Sequence, residues 1–157
     1  MKKIPQKNYC IALLLIVFTV LVTFLLVSLY NNKDKEFSTI YNYSNKITGN
    51  EFSEYFLVSS DFVMYIADRN DLSNEVFEKK FKNKIDQLNL KSKLVYIDKS
   101  ELNEKSLKEL YNNYKIEIEL DKLPVIISII DRQATKMVYV NSKSNVDKII
   151  KYEDFEW

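Results

Sequence analysis

The first long apolar segment of the chain differs sharply from everything that follows it. Residues 9–30 contain no charged side chain, and Thr19, Thr23 and Ser28 are their only hydroxyl residues besides the terminal tyrosines. As an α-helix, 22 residues would rise about 33 Å, which matches the hydrocarbon thickness of a bilayer. Tyr9 and Tyr30 stand at its two ends, where aromatic rings favour the membrane interface. We therefore predict a transmembrane helix over residues 9–30, with membrane lipid as its partner.

The charges on either side of this segment predict its orientation. Residues 1–8 carry three lysines, whereas the two lysines just beyond the apolar run are offset by Asp34 and Glu36. Basic flanks stay on the cytoplasmic side. We therefore expect a cytoplasmic N-terminus over residues 1–8 and an extracellular C-terminal domain on a single-pass protein of the cell membrane.

A cleaved signal peptide is the alternative. Its apolar region normally runs about 7–15 residues and ends at small residues, whereas this run is longer and "LVSLYNN" offers no such site. A lipoprotein would need its cysteine at the far end of the run, but Cys10 lies at the near end. We favour an uncleaved anchor and interpret Cys10 as an apolar filler rather than as a redox or acylation site.

The remaining chain predicts a polar linker over residues 31–46 and one domain over residues 47–157. The apolar runs 61–67 and 93–98 are typical of strands that are covered on both faces. Residues 125–130 and 136–140 predict a strand hairpin with a turn at 131–135.

Helices are expected before, between and after these strands. Their starts are indicated by residue types that cap helices: the capping-box pattern Thr48–Glu51, then Asp71 or Ser73, Ser100, and Ser144 or Asn145. A strand–helix–strand unit implies parallel pairing with a right-handed crossover, and the hairpin adds antiparallel strands. We therefore predict an α/β fold with a mixed sheet flanked by helices.

Helical spacing also predicts which side chains are buried. In the helix after residue 71, the buried stripe is expected to comprise Leu72, Val76, Phe77, Phe81, Ile85 and Leu88. The charges of residues 75–84, Glu78 among them, alternate in sign and are interpreted as a solvated face with i,i+3 and i,i+4 pairs. In the next helix, we expect Leu107, Leu110, Tyr111 and Tyr114 to face inward.

Composition removes much familiar chemistry. The chain has no histidine and one cysteine, so it has no imidazole base or metal ligand and cannot form an intramolecular disulfide. A formal net charge of +1 gives no electrostatic case for binding nucleic acid.

The segments "FVMYIADRNDLSNEVFEKKF", "KLVYIDKSEL" and "DKLPVIISIIDRQATKMVYV" carry a family resemblance. The layout of residues 47–152 resembles the thioredoxin fold. It is similar, more closely, to the membrane-anchored thioredoxin-like proteins of Gram-positive bacteria that are grouped with bacteriocin transport accessory proteins. The resemblance implies that the family's C-x-x-C slot is filled here by Asp71, Leu72, Ser73 and Asn74, and that Pro124 occupies the position of the family's cis-proline.

This slot departs from the family in having no thiol. Thiol–disulfide exchange needs an attacking and a resolving thiol, and no cysteine lies near residues 71–74. For Asp71, Ser73 and Asn74 we favour helix capping over a carboxylate pair or metal site formed by Asp71 with Asp68. We expect no catalytic residue, no metal and no cofactor.

Peptide binding could survive without catalysis. In thioredoxin-like proteins the backbone beside the proline pairs with an extended peptide, so the resemblance makes Leu123 and Pro124 candidate peptide-binding residues. The favoured hypothesis is a redox-inactive binding or accessory protein at the bacterial cell surface, linked by resemblance alone to bacteriocin export or immunity.

Two alternatives stay open at this point. The domain could present substrates for a thiol–disulfide oxidoreductase whose cysteines lie on a partner, or it could be a structural envelope component. Phe155 and Trp157 could pack back onto the domain or form an exposed patch for a partner.

Overall fold

The computed structural model describes residues 6–33 and 37–151, and the chain divides into two compact units at residues 36 and 37. Most of the predicted cytoplasmic segment, together with Phe155 and Trp157, lies outside the described residues. The first unit contains helix α1 (Gln6–Lys33). Within it, Ile11–Leu29 is long and apolar enough to cross a membrane, as the sequence predicts.

The two threonine hydroxyl groups of α1 are compatible with an apolar environment. Thr19 Oγ1 donates to the carbonyl of Leu15 at 2.8 Å, and Thr23 Oγ1 donates to the carbonyl of Thr19 at 2.9 Å. Each hydroxyl therefore satisfies its donor inside the helix, which lowers the cost of placing it in hydrocarbon.

The second unit is built on a five-stranded mixed sheet in the order β1-β3-β2-β4-β5. Strands β1 and β2 both run parallel to β3, whereas β4 is antiparallel to β2 and to β5. The strands are β1 (Asn45–Lys46), β2 (Phe62–Ala67), β3 (Leu94–Asp98), β4 (Val125–Ile130) and β5 (Gln133–Tyr139). The predicted mixed sheet is confirmed.

Helices cover both faces of this sheet. They are α2 (Thr39–Tyr43), α3 (Phe52–Val58), α4 (Glu75–Gln87), α5 (Glu104–Tyr114) and α6 (Val146–Ile149). One apolar cluster joins alternate residues of β2 and β3 to α2, α4 and α6, and a second joins the other residues to α3 and α5. All six residues of β2 are buried, as expected for a strand covered on both sides.

The predicted linker is too long, because residues 37–46 belong to the folded unit. Helix α2 buries Ile40 completely, and β1 extends the sheet by pairing with Val95 and Tyr96. Ser38 N–H also donates to the Arg69 carbonyl at 2.8 Å. Elements of five and two residues are too short to show a hydrophobic period, so the sequence pattern missed them.

The predicted buried stripe of α4 is wrong at its start. Helix α4 begins at Glu75, so Leu72 lies in the preceding turn and is 44% exposed, and Val76 is 58% exposed. Phe77 and Phe81 are fully buried, as predicted. In α5, Leu110 is buried but Tyr111 is 53% exposed.

The first turns of the helices also differ in part from the prediction. Helix α5 is capped by Asn103, which forms a reciprocal capping box with Ser106, whereas Ser100 lies in a separate 3-10 turn that Asp98 caps. Asn145 caps α6, as predicted. Glu51 accepts from Thr48 N–H at 2.6 Å ahead of α3, but Thr48 does not cap that helix, since the N-cap is Glu51 itself.

The hairpin turn is shorter than predicted. Only Asp131 and Arg132 connect β4 to β5, with φ angles of 50° and 63°, which is the backbone of the two-residue turn that suits strand twist. Arg132 N–H donates to the Ser60 carbonyl at 2.8 Å. Asp131 N–H donates to the Asp61 carboxylate at 2.9 Å. These bonds hold two non-glycine residues in a left-handed conformation.

We expect Gly49→Ala to lower the free energy of unfolding by about 1–3 kcal/mol. A Cβ at Gly49, the only glycine of the chain, would lie 2.3 Å from the Glu101 carbonyl oxygen, so the backbone would have to shift. Urea denaturation of the full chain in detergent micelles, followed by circular dichroism, measures this change. The matched control is Asn50→Ala at the exposed neighbour, and equal stability of the two variants would contradict the close contact.

Candidate functional site

Three strand ends meet at one edge of the sheet and form a pocket there. The carboxyl ends of β2 and β3 lie at this edge because the two strands are parallel, and β4 begins there because it is antiparallel to β2. The pocket has a volume of about 290 Å³. Its walls come from the end of β2, the turn before α4, the start of α4, Lys99 and the segment that leads into β4.

The structure brings most of the predicted site residues together. Asp71 and Asn74, the first and last residues of the slot that the resemblance predicts, line the same pocket as Leu123 and Pro124. The Leu123–Pro124 peptide bond is cis. Leu72 and Ser73 are exposed and do not line the pocket.

Asp71 and Ser73 organise the turn before α4 rather than capping the helix. Asp71 Oδ1 accepts from Ser73 N–H at 2.8 Å, and Asp68 Oδ1 accepts from Asn70 N–H at 2.9 Å. The N-cap residue is Asn74, whose side chain makes no capping hydrogen bond. The predicted cap at Asp71 or Ser73 is therefore wrong, because the helix begins at Glu75. Of the three residues interpreted as capping, Asn74 alone occupies the N-cap position.

Asn74 is held against the pocket with one polar atom unused. Only 7% of the residue is exposed. Its Nδ2 donates to Ser73 Oγ at 3.1 Å and makes a long contact of 3.5 Å with the Asp71 carboxylate. Its Oδ1 accepts no hydrogen bond from the residues that the structure describes. No fully enclosed side-chain atom in the described residues lacks a partner, so this oxygen is an accessible acceptor on a residue of the pocket wall.

Glu78 forms the floor of the pocket, which the sequence interpretation missed. The charge pattern predicts that it lies on the solvated face of α4, but it is 1% exposed and lines the pocket. Tyr65 OH donates to its Oε1 at 3.0 Å, and Ile40 N–H donates to its Oε2 at 3.3 Å. A signal was present, since Glu78 lies between Phe77 and Phe81 and one turn after Asn74, on the inward side of α4.

The surroundings of Glu78 raise the pKa of its carboxyl group. Burial raises the pKa of the Glu78 carboxyl above its ordinary value, and the hydrogen bonds from Tyr65 and from the backbone N–H of Ile40 oppose that rise. Burial is also the largest cause that raises the pKa of Tyr65, and the adjacent Glu78 carboxylate adds to it. Tyr65 therefore stays a protonated donor to Glu78.

A second polar network fixes the edge beside the pocket. The Asp98 carboxylate, 7% exposed as a residue, accepts from Arg69 N–H at 3.2 Å and lies 3.7 Å from the Arg69 guanidinium. Tyr96 OH donates to the Ala67 carbonyl at 3.1 Å. The loop after β2 is thus tied to β3, which positions the residues that follow it.

The segment before β4 leaves one residue with a free backbone. Lys122 N–H donates to the Glu119 carbonyl at 3.0 Å, and the Pro124 carbonyl accepts from Val140 N–H at 2.9 Å. Between them, the N–H and C=O of Leu123 form no hydrogen bond with any other residue that the structure describes. Since Leu123 also lines the pocket, an unpaired donor and acceptor border this cavity.

The donor set of the site limits its chemistry. In the part of the chain that the structure describes, no three acidic or sulfur side chains are grouped so that they could hold a metal ion. No protein-family model matches the chain, and no curated protein matches it significantly. The functional assignment therefore depends on the geometry of this pocket.

We expect Glu78 to make stability depend on pH. Burial raises the pKa of Glu78 in the folded chain above its value in the unfolded chain. The favourable contribution of Glu78 to the free energy of unfolding is therefore fully present below the unfolded pKa. It is lost as the pH rises through the folded pKa. Glu78→Gln, which cannot titrate, should show a flatter profile. Urea denaturation of the full chain between about pH 4 and pH 8 measures both profiles, and identical slopes would contradict the prediction.

In the same assay, Glu78→Ala should lower the free energy of unfolding by about 1–3 kcal/mol at low pH, because it leaves the Tyr65 hydroxyl and Ile40 N–H without an acceptor.

Proposed function

We propose that residues 37–151 form a redox-inactive, thioredoxin-like domain that binds an extended segment of a peptide or protein at the bacterial cell surface. The observation that carries this proposal is the unpaired backbone of Leu123 beside the pocket formed with Asp71 and Asn74. The domain acts by contact and not by catalysis.

The thioredoxin-like assignment is supported by the arrangement of the sheet. The order β1-β3-β2-β4-β5, with three parallel strands followed by an antiparallel hairpin, agrees with the fold that the sequence resembles. The junction after β2 meets a proline at the entry to β4, and this proline follows a cis bond.

The absence of redox chemistry is supported by the residues at that junction. Asp71 and Asn74 stand where thiol chemistry would need two cysteines, and the one cysteine of the chain is Cys10 in the anchor segment. A carboxylate and an amide can accept and donate hydrogen bonds, but they cannot form a mixed disulfide.

Binding is supported by the backbone at Leu123. A strand that pairs with a sheet edge gains main-chain hydrogen bonds, while its side chains enter adjacent pockets. Leu123 offers one N–H and one C=O for such pairing, and the cavity of about 290 Å³ lies next to them. An extended segment could therefore pair with Leu123 and place one side chain in the pocket.

The predicted membrane anchor indicates where this binding would take place. Helix α1 is long and apolar enough to span a membrane, and the lysines of residues 1–8 favour a cytoplasmic N-terminus. The domain would then lie outside the cell, where an accessory role in bacteriocin export or immunity is the context that the family resemblance suggests.

We expect Leu123→Pro to abolish peptide binding, because proline removes the N–H that a docked strand would use. Binding is measured as retention of a random heptapeptide library on the full chain in lipid nanodiscs. Leu123→Ala is the matched control, since it shortens the side chain and keeps the N–H. Circular dichroism of both variants shows whether they fold, and equal retention by two folded variants would contradict strand pairing.

Labelling of intact cells tests the orientation. In a Cys10→Ser background, Lys143→Cys at an exposed position should react with a membrane-impermeant maleimide, because the domain is outside. The parent chain, whose single Cys10 belongs to the cytoplasmic end of the anchor, should react only after permeabilisation. The reverse pattern would overturn the proposed topology.

A further inference from the structure

We infer that the pocket beside Leu123 accepts a positively charged side chain, a lysine or an arginine, from the extended segment that docks there. This inference rests on the proposed function and adds the chemical class of the ligand. Four features of the pocket carry it: its charge, an accessible amide oxygen, its size and its place beside the unpaired backbone.

Acidic side chains dominate the pocket. Asp68, Asp71 and Asp121 line it together with Lys99, so the lining contains three carboxylates and one ammonium group even before the buried Glu78 is counted. Asp68 and Asp71 each accept a hydrogen bond from a neighbouring backbone N–H group, which holds their carboxylates in place. A cation entering this pocket would meet preorganised negative charge.

Asn74 adds an uncharged acceptor to this lining. The residue is more than nine-tenths buried and lines the pocket, and its Oδ1 accepts no hydrogen bond from the described residues. No fully enclosed side-chain atom in the described residues lacks a partner, so this oxygen is accessible. A donor group of a ligand that enters the pocket could therefore bond to it.

The size of the pocket fits one long side chain. Its volume of about 290 Å³ lies just below the usual range for small-molecule sites, about 300–1,000 Å³. Lysine carries three N–H donors and arginine five, and neither side chain has an acceptor. A donor-only head group therefore matches a lining in which acceptors outnumber donors.

The position of the pocket explains why the positively charged side chain would belong to a docked peptide. Leu123 and Pro124 form part of the pocket wall, so a strand that pairs with the Leu123 backbone passes directly over the cavity. Side chains of a strand alternate between its two faces. One side chain of the docked segment would then point into the pocket and its neighbours would point away.

The test uses the full chain in phosphatidylcholine nanodiscs, which carry no net lipid charge. Four synthetic heptapeptide libraries have lysine, arginine, leucine or glutamate at the central position, and their other positions are randomised among uncharged residues without proline and cysteine. Retention is measured against empty nanodiscs. We expect the lysine or arginine library to be retained about tenfold better than the leucine library, as one charge-assisted hydrogen bond allows, and the glutamate library to be retained least.

Substitutions in the pocket identify the source of that preference. Asp71→Asn with Asp121→Asn removes two charges, while the new amide at position 71 can still accept from Ser73 N–H. This double variant should lose most of the preference for the basic libraries. The matched control, Glu104→Gln with Asp147→Asn, removes two charges at side chains that are 93% and 77% exposed and do not line the pocket, and it should keep the preference.

The outcomes separate this inference from the proposed function. Retention of all four libraries to the same extent, lost in Leu123→Pro, would leave strand docking intact and overturn the charged-side-chain inference. A preference for basic libraries that survives Asp71→Asn with Asp121→Asn would also overturn it. Retention of no library would contradict the proposed function and, with it, the inference.

Discussion

The burial of β2 on both faces is the constraint on which the rest of the domain depends. All six of its residues are buried, so its backbone must pair on both sides and its side chains must be covered on both faces. Pairing with β3 and β4 satisfies the first requirement. The two apolar clusters, one with α2, α4 and α6 and one with α3 and α5, satisfy the second. The site follows from this, since the pocket lies where the apolar strand ends and polar side chains begin.

The pocket is lined by the buried carboxyl group of Glu78. Burying such a group costs free energy of folding unless the group is hydrogen-bonded. The donors supplied by Tyr65 and the Ile40 backbone connect three elements, β2, α2 and α4, at one point. A buried polar group of this kind adds little net stability, but breaking it is expensive. The network therefore fixes the position of α4 relative to the sheet, and with it Asn74 and Asp71.

Fold and function are separable in this chain. The proposed thioredoxin-like frame would position two surfaces next to each other, a helix start and a strand entry, and both would remain useful without sulfur chemistry. The helix start contributes acceptors through Asp71 and Asn74, and the strand entry contributes the free backbone of Leu123. A tether to the membrane would raise the local concentration of such a binding site at the cell surface, which favours weak contacts with extended segments.

Much of the fold followed from local sequence pattern. The apolar segment of α1, the central strands β2 and β3 and the β4–β5 hairpin were predicted because continuous apolar runs and their polar borders depend on neighbouring residues alone. The candidate site was predicted only in part: Asp71, Asn74, Leu123 and Pro124 were named, but Glu78 and Tyr65 were not. Glu78 was misassigned because a charged side chain among other charges suggests a solvated face, and only packing against β2 and α2 reverses that.

Tertiary contacts alone decided the remaining features. The α2–β1 segment exists because Ile40 enters the core and β1 pairs with β3, and both are contacts with residues far along the chain. Leu72 and Val76 are exposed because α4 starts at Glu75, a position set by the turn that Asp71 organises. The unpaired backbone of Leu123 has no local signature, since whether an N–H has a partner depends on which strand lies beside it.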